Sequence, residues 1–461
     1  MAHILVIPFL SSGHIIPLLN LTTNLLNRGL VITVAITPNN LHLLDPLLSS
    51  YSSAQLRHLV LPLPENNTFS VNSFIANMRC MHETHYPILL DWFNSHASPP
   101  LAILSDFFLG WTYHLASQLR LPRLVFSPSG AFPYSVFSHV WDELPQNDSA
   151  GEDFVVSFRN IPSSPSYPWW QITPLYRIPR DSSEWEFLRD GFLANMASWG
   201  IVFNSFTELE RVYIDHVKNE FGNDHVWAIG PGIPPSDDDS VNCGGTSSAP
   251  CHEVLTWLDS CEDHSVVYVA FGSEVMLTCG QMDELAAGLE KSGVNFILCV
   301  RQQGDHGVLP EGFEDRVAGR GSIIRGWAPQ VAILRHQSVG AFLTHCGWNS
   351  VLEAISAGVP MLTWPMGADQ FTNAQLLVDE LKVGIRVGES TRKIPESNEL
   401  AKILAKSVEA NVPERVRVKK LQEAAMSAIK KGGSSDVHLD SLVERLNKLK
   451  HDHEDISDGV N

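Results

Sequence analysis

The feature that most limits the fold is a repeated alternation of short, uniformly apolar runs with segments spaced as helices. His3–Phe9 is apolar almost throughout and is closed by Leu10-Ser11-Ser12-Gly13. His14–Leu26 then carries Leu18, Leu21 and Leu25 on one helical face, with Pro17 read in the first turn, where a missing N–H costs little. Arg28-Gly29 stops that helix, and Leu30–Ile36 is apolar again. Runs apolar at nearly every position suit strands covered on both faces, as in a parallel sheet, and a βαβ unit crosses over right-handed. The rhythm recurs at His58–Leu61, Leu101–Leu104, a helix near Leu109–Leu119, Arg123–Phe126, Ile201–Asn204 and Val226–Ile229. Residues 140–190, rich in Trp, Pro, Ser and charge, read as irregular chain or short helices.

Gly230–Pro250 holds three Asp, four Gly and four Pro, and reads as a linker. Beyond it the alternation restarts. Val266–Phe271 ends in Gly272-Ser273, Met282, Leu285, Ala286 and Leu289 mark a helix, and Val294–Val300, Ser322–Arg325, Val339–Leu343 and Met361–Trp364 continue a second sheet. A chain of 461 residues exceeds what one core serves. The expectation is an α/β protein of two Rossmann-like domains facing across a cleft: residues 1–235, a linker at 236–250, and residues 251–433. Ser434–His451 reads as a final helix with leucines at 439, 442, 446 and 449, followed by a polar, frayed tail.

Composition removes several functions. A formal net charge of -19 argues against nucleic acid, whose binding runs on clustered Lys and Arg. Seven cysteines without CxxC spacing suggest neither a zinc site nor a disulfide framework, and point to a reducing, cytoplasmic setting. No run approaches the roughly 18 apolar residues of a membrane span. Met1-Ala2-His3 and the apolar run after it read as a first strand rather than a signal peptide, so Asn-x-Ser/Thr at Asn20, Asn66 and Asn147 reads as chance. His82, His85, His451 and His453 read as solvated or structural.

The segment from Trp327 to Gln370 carries the chemistry. The apolar run Val339–Leu343 passes through Thr344-His345-Cys346-Gly347-Trp348-Asn349-Ser350 into a helix bearing Leu352, Ile355 and Val359. A strand turning through Gly into a helix aims backbone N–H groups and a positive dipole end at one point, which suits a phosphate. His345, Asn349 and Ser350 add donors, and Glu353 is an acceptor suited to ribose hydroxyls. Trp327 offers a flat face for a base, and Asp369-Gln370 offer partners for sugar hydroxyls. Taken singly, Trp327, Trp348 and Trp364 read equally well as core aromatics and Glu353 as a solvated helix residue.

This gap-free stretch, beginning WAPQ, containing HCGWNS and ending DQ, resembles the 44-residue signature box of plant family 1 UDP-sugar-dependent glycosyltransferases. The resemblance implies the GT-B fold, with the last helix packing back on the N-terminal domain. It implies that Trp327 stacks on uracil with Ala328 and Gln330 nearby, that His345, Asn349 and Ser350 bind the diphosphate, and that Glu353 binds ribose. Gly347 belongs to the same turn, and the Trp348 backbone with Asp369 and Gln370 would hold the sugar. Ser273, closing Val266–Phe271, reads as a phosphate contact or as a plain turn serine. The final Gln370 is the family's pattern for UDP-glucose, with xylose and rhamnose as alternatives.

His14 and Asp106 each follow an apolar run at the strand end where α/β sheets bind ligands. A neutral His at a helix start can take a proton, and an Asp on its other ring nitrogen fixes the tautomer. Read alone, His14 is a helix-capping loop residue and Asp106 an ordinary N-cap before Leu109–Leu119. Both match the family's catalytic pair. The expectation is an inverting transfer of glucose from UDP-glucose to a hydroxyl of a small phenol such as a flavonol, giving a β-O-glycoside. It needs no metal and no permanently bound cofactor, and the protein is expected to be a monomer. Phe107, Trp111 and Phe132 read as acceptor-pocket walls or as core. The rivals are a sugar-nucleotide epimerase and a non-catalytic UDP-sugar-binding protein.

Overall fold

The structure is a computed structural model that describes residues 1–63, 71–147, 151–232 and 250–458. The chain divides into two compact units, Met1–Gly232 with Ser427–Asn461, and Ile233–Met426. Residues 236–249 of the expected linker, and Asn66, fall outside the described residues.

The first unit is built on a parallel sheet of seven strands. They are β1 (His3–Ile7), β2 (Val31–Ile36), β3 (Leu56–Val60), β4 (Ala102–Asp106), β5 (Arg123–Ser127), β8 (Gly200–Phe203) and β9 (Val226–Ala228), in the order β3-β2-β1-β4-β5-β8-β9. A separate hairpin pairs β6 (Val155–Ser157) with β7 (Ser166–Pro168). Around the sheet run α1 (Ser12–Asn27), α2 (Asp45–Ser50), α3 (Val71–Ser95), α4 (Thr112–Leu119), α5 (Ala131–Glu143), α6 (Ser183–Met196) and α7 (Thr207–Phe221). Ile4, Val6, Ile32, Val34, Leu104 and Phe126 meet Leu18, Leu21 and Leu25 of α1 in one buried cluster, as the uniform apolarity of those runs required.

Three details differ from the sequence reading. The first helix begins at Ser12, so Pro17 is its sixth residue and lies inside the second turn. Helix α4 begins only at Thr112 and its N-cap is Trp111, so Asp106 is no cap of that helix. Residues 140–190, read as irregular chain or short helices, also hold the β6–β7 hairpin and the start of the 14-residue α6.

The second unit repeats the plan. Its parallel sheet runs β12-β11-β10-β13-β14-β15, where β10 is Val266–Ala270, β11 Asn295–Val300, β12 Gly321–Arg325, β13 Val339–Thr344, β14 Met361–Thr363 and β15 Gly384–Arg386. Its helices are α8 (Cys251–Asp259), α9 (Cys279–Ser292), α10 (Phe313–Arg316), α11 (Gln330–Arg335), α12 (Trp348–Ala357), α13 (Gln370–Gln375), α14 (Ser397–Ser407) and α15 (Pro413–Ala428). The last helix, α16 (Ser434–Asp458), lies on the first unit. Its Leu439, Leu442, Val443 and Leu446 join the core cluster of β1, β2 and α1, Asn447 Oδ1 accepts from the Ala2 N–H at 2.9 Å, and Ser435 Oγ donates to the Gly230 carbonyl at 2.6 Å. No helix among the described residues is long and apolar enough to cross a membrane.

One buried charge fixes the carboxyl end of β4. Arg123 donates to Ser105 Oγ, Thr112 Oγ1, Asn195 Oδ1, Ser198 Oγ and the carbonyls of Asp106 and Leu109, all between 2.7 and 3.3 Å. Asn195 in turn donates to the Phe107 carbonyl at 2.7 Å. A guanidinium bonded on every side is tolerated in a core, whereas an ammonium has only three donors and cannot serve six acceptors. Arg123→Lys is therefore expected to lower the unfolding free energy by about 2–4 kcal/mol. Equal denaturant midpoints for the two proteins would show that the network contributes nothing.

Candidate functional site

In the first unit the register of the sheet brings together two residues 92 positions apart. β1 and β4 are neighbours, with Ile7 beside Ser105. Asp106 ends β4, while the loop after β1 leads through the N-cap Ser11 into α1, whose third residue is His14. His14 Nδ1 lies 2.8 Å from Asp106 Oδ2, with the imidazole 18% exposed and the carboxylate fully buried. The other carboxylate oxygen accepts from the Phe108 N–H at 2.9 Å, so Asp106 is held on both sides. An acceptor-only carboxylate places the proton on Nδ1 and leaves the basic lone pair on Nε2. Phe107 lies nearly parallel to the imidazole at 9° and 5.7 Å, Phe108 at 24° and 4.9 Å, and Phe9 meets it edge-on at 5.6 Å. Trp111 and Phe132 do not join this group. Trp111 is 2% exposed and stacks on His82, and Phe132 is fully buried against Tyr213 at 4.3 Å, so both are core.

In the second unit the expected residues follow the carboxyl ends of successive strands. Gly272 and Ser273 follow β10, Trp327 follows β12, His345 to Ser350 follow β13, and Asp369 and Gln370 come after β14. Cys346 takes a left-handed conformation (φ 65°), which turns the chain so that Gly347 becomes the N-cap of α12. Asn373 donates to the Cys346 carbonyl at 2.9 Å and fixes that turn. The His345 ring sits between two glycines. A Cβ on Gly272 or on Gly347 would lie 2.5 Å from Nε2, so neither position accepts a side chain. His345 Nδ1 is buried with no hydrogen-bond partner among the described residues, and burial lowers the ring's pKa from 6.5 to about 4. The imidazole is therefore neutral at physiological pH, and any diphosphate at the start of α12 meets dipoles rather than a fixed positive charge.

Gln330, first residue of α11, links two expected contacts. Its Nε2 donates to Ser350 Oγ at 2.8 Å and to Glu353 Oε2 at 2.6 Å, and its Oε1 accepts from Tyr268 at 3.1 Å. Burial raises the Glu353 pKa from 4.5 to about 7, against the opposing bond from Gln330. Gln370 Oε1 accepts from the N–H groups of Met366 (2.8 Å) and Gly367 (3.0 Å), which leaves its amide NH2 as the group it can offer. Ala328 is buried and its carbonyl accepts from the Gln330 N–H at 2.8 Å. Trp348 is buried in the first turn of α12, and Asn349 beside it is half-buried. Trp364 is fully buried and donates to the Ser390 carbonyl at 3.1 Å, so it is core. Asp369 is the N-cap residue of α13.

Arg301 is the residue the sequence reading missed. It directly follows β11, its guanidinium lies 5.4 Å from the centre of the Trp327 ring, and its Nη1 donates to the Ser273 carbonyl at 2.7 Å. The half-buried Trp327 is thereby tied to the turn after β10. The available signal was a lone Arg at the carboxyl end of the apolar run Val294–Val300.

A family profile described as UDP-glucoronosyl and UDP-glucosyl transferase matches residues 228–406. A UDP-glycosyltransferase of Stevia rebaudiana is 49% identical, over 96% of this chain and 98% of its own. The chain belongs to the plant family 1 UDP-glycosyltransferases. A flavonol 3-O-glucosyltransferase of Arabidopsis thaliana is 48% identical to this glycosyltransferase, over 97% of the chain and 96% of its own length. The crystal structure of Arabidopsis thaliana UGT89C1 complexed with UDP-L-rhamnose superposes with a TM-score of 0.80 at 38% identity, covering 96% of this chain and 98% of that one. The enzyme thus has the GT-B fold, built from the two Rossmann-like units described above.

The raised pKa of Glu353 has a definite sign. In the folded protein the carboxyl holds its proton between about 4.5 and 7, so its ionisation costs stability that is lost as pH rises through 7. The role expected of Glu353, accepting from both vicinal ribose hydroxyls at once, is best served by the two equivalent oxygens of the ionised form. UDP-glucose affinity in calorimetry is expected to fall about ten-fold per unit below pH 7. Glu353→Gln should bind weakly without that pH dependence and, free of ligand at pH 8, should melt higher than the wild type. A wild-type affinity flat from pH 6 to 8 would remove the role.

Proposed function

We propose that this enzyme transfers glucose from UDP-glucose to a hydroxyl of a flavonol or a similarly flat phenol, with inversion, to give a β-O-glucoside. The observation that carries the reading is the His14–Asp106 pair set among aromatic rings. The acceptor O–H gives its proton to His14 Nε2 as the oxygen attacks the anomeric carbon. The bond from that carbon to the β-phosphate oxygen breaks, and UDP leaves with the electron pair. Asp106 stabilises the imidazolium as it forms and holds the ring in one tautomer. The charge gathering on the leaving phosphate is met by His345, Asn349, Ser350 and the first-turn amides of α12.

In this reading Trp327, backed by Arg301, stacks on the base, with Ala328 beside it. Glu353 takes the ribose hydroxyls and Gln330 orients the carboxylate. Ser273 adds a phosphate contact, Gly347 leaves room for the diphosphate beside His345, and the Trp348 backbone, Asp369 and the Gln370 amide hold the sugar. Flat acceptors suit the rings of Phe107 and Phe108 beside His14, and the 48% identical Arabidopsis relative is a flavonol glucosyltransferase. Glucose is favoured over rhamnose because that relative is closer in sequence than the 38% identical enzyme crystallised with UDP-L-rhamnose. Rhamnose transfer is the second reading, favoured by that same complex. A panel of UDP-glucose, UDP-xylose and UDP-rhamnose with a flavonol, read by product mass and linkage, separates them.

His14→Ala is expected to lower kcat by about 10²-fold or more while UDP affinity stays near the wild-type value, and Asp106→Asn to follow it. Wild-type turnover in either variant would remove the dyad from the reaction. Gln370→His is expected to move donor preference from UDP-glucose toward UDP-galactose in competition assays. An unchanged donor ratio would mean that the sugar is not read by this side chain.

A further inference from the structure

Helices α5 and α7 pack side by side in the first unit. Near one end of the contact Glu210 of α7 accepts from the Ala131 and Phe132 N–H groups of α5 (3.0 and 2.8 Å), and the Phe132 ring packs against Tyr213 at 4.3 Å. Two turns further along α5 the same face carries His139, opposite His216 and Glu220 of α7. His216 and Glu220 are four residues apart and so project from one side of their helix. The two imidazoles stack at 5.3 Å, and one ligand atom from each of the three residues lies within 4.8 Å of the others.

We propose that His139, His216 and Glu220 form a binding site for a divalent transition-metal ion, of which zinc is the best fit, clamping α5 to α7. His139 is buried and its Nδ1 donates to the Ser135 carbonyl at 2.9 Å, which fixes the tautomer and turns a lone pair outward on Nε2. A backbone acceptor behind the second ring nitrogen is the usual support of a metal-ligating histidine. His216 Nε2 is buried and has no hydrogen-bond partner among the described residues, an arrangement that costs free energy unless something binds there. Glu220 lies on the exposed side, where it supplies the single negative charge and leaves a fourth position for water. Ligands about 2.1 Å from a tetrahedral ion stand roughly 3.4 Å apart, so atoms that lie within 4.8 Å of one another need to close by at most about 1.4 Å. Two imidazoles and one carboxylate match zinc, cobalt and nickel better than calcium or magnesium, which take all-oxygen sites.

The test uses the full-length enzyme without a histidine tag, titrated with Zn2+ in a calorimeter and with Co2+ by visible absorption. The wild type is expected to bind one equivalent with a four-coordinate cobalt spectrum and to melt higher with zinc. His216→Gln should lose that equivalent and the thermal shift together. Glu220→Gln, at an exposed position that leaves the core intact, should bind about ten-fold or more weakly. Absence of a bound equivalent in the wild type, or a wild-type isotherm in either Glu220→Gln or His216→Gln, overturns the site. Transfer activity is not the readout, so failure here leaves the glycosyltransferase reading untouched.

Discussion

Everything catalytic in this chain depends on the parallel hydrogen-bonded ladder and the point in each sheet where strand order reverses. In the first unit the reversal falls between β1 and β4, and in the second between β10 and β13. Helices leaving the two strands at such a point go to opposite faces, so the carboxyl ends beside it stay uncovered. His14 and Asp106 occupy one of these places, and Gly272, Ser273 and His345 occupy the other. Side chains far apart in sequence meet because neighbouring parallel strands end at the same level. No long-range side-chain recognition is needed to bring His14 to Asp106. The register of Ile7 against Ser105 already does so.

The strands were legible wherever burial on both faces makes every residue apolar, as in β1, β2, β10 and β13. They were blurred where tertiary context rather than pattern holds the element. β3 is an edge strand with exposed Arg57 and His58, and the reading placed its start two residues late. β15 is three residues long and pairs with β14 at the end of its sheet, and the hairpin β6–β7 lies in a stretch whose Trp, Pro and Ser content suggests loop. The signature segment was legible because chemistry constrains many positions at once. Arg123 was not. A charged residue opening an apolar run looks like a boundary, and only the fold reveals six acceptors converging on its head group.

Asp106 shows why a reading of one residue at a time misleads. As a cap it would have satisfied backbone groups of α4, but that helix starts six residues later. Instead one oxygen closes a tight turn on the Phe108 N–H and the other holds His14. The turn also fixes Phe107 and Phe108, the rings beside the imidazole. A single buried carboxylate thus sets the orientation of the His14 imidazole, the proposed base, and the shape of the surface next to it. This coupling explains why so much hydrogen bonding, from Arg123 and from Asn195, is concentrated behind a loop of a few residues.

The second unit has the opposite character, because its polar groups are held at a cost. His345 keeps a buried ring nitrogen without a partner among the described residues, Cys346 takes a conformation that favours glycine, and burial pushes the Glu353 carboxyl toward neutrality. Each would be relieved by ordinary mutation, yet at the start of α12 they leave a neutral imidazole and backbone amides in place of a cation. A cradle of dipoles binds an anion less tightly than a lysine cluster would. It also releases the anion more readily once sugar has been transferred. With UDP held there as proposed, preorganised amides and a neutral imidazole would serve turnover better than a stronger electrostatic grip.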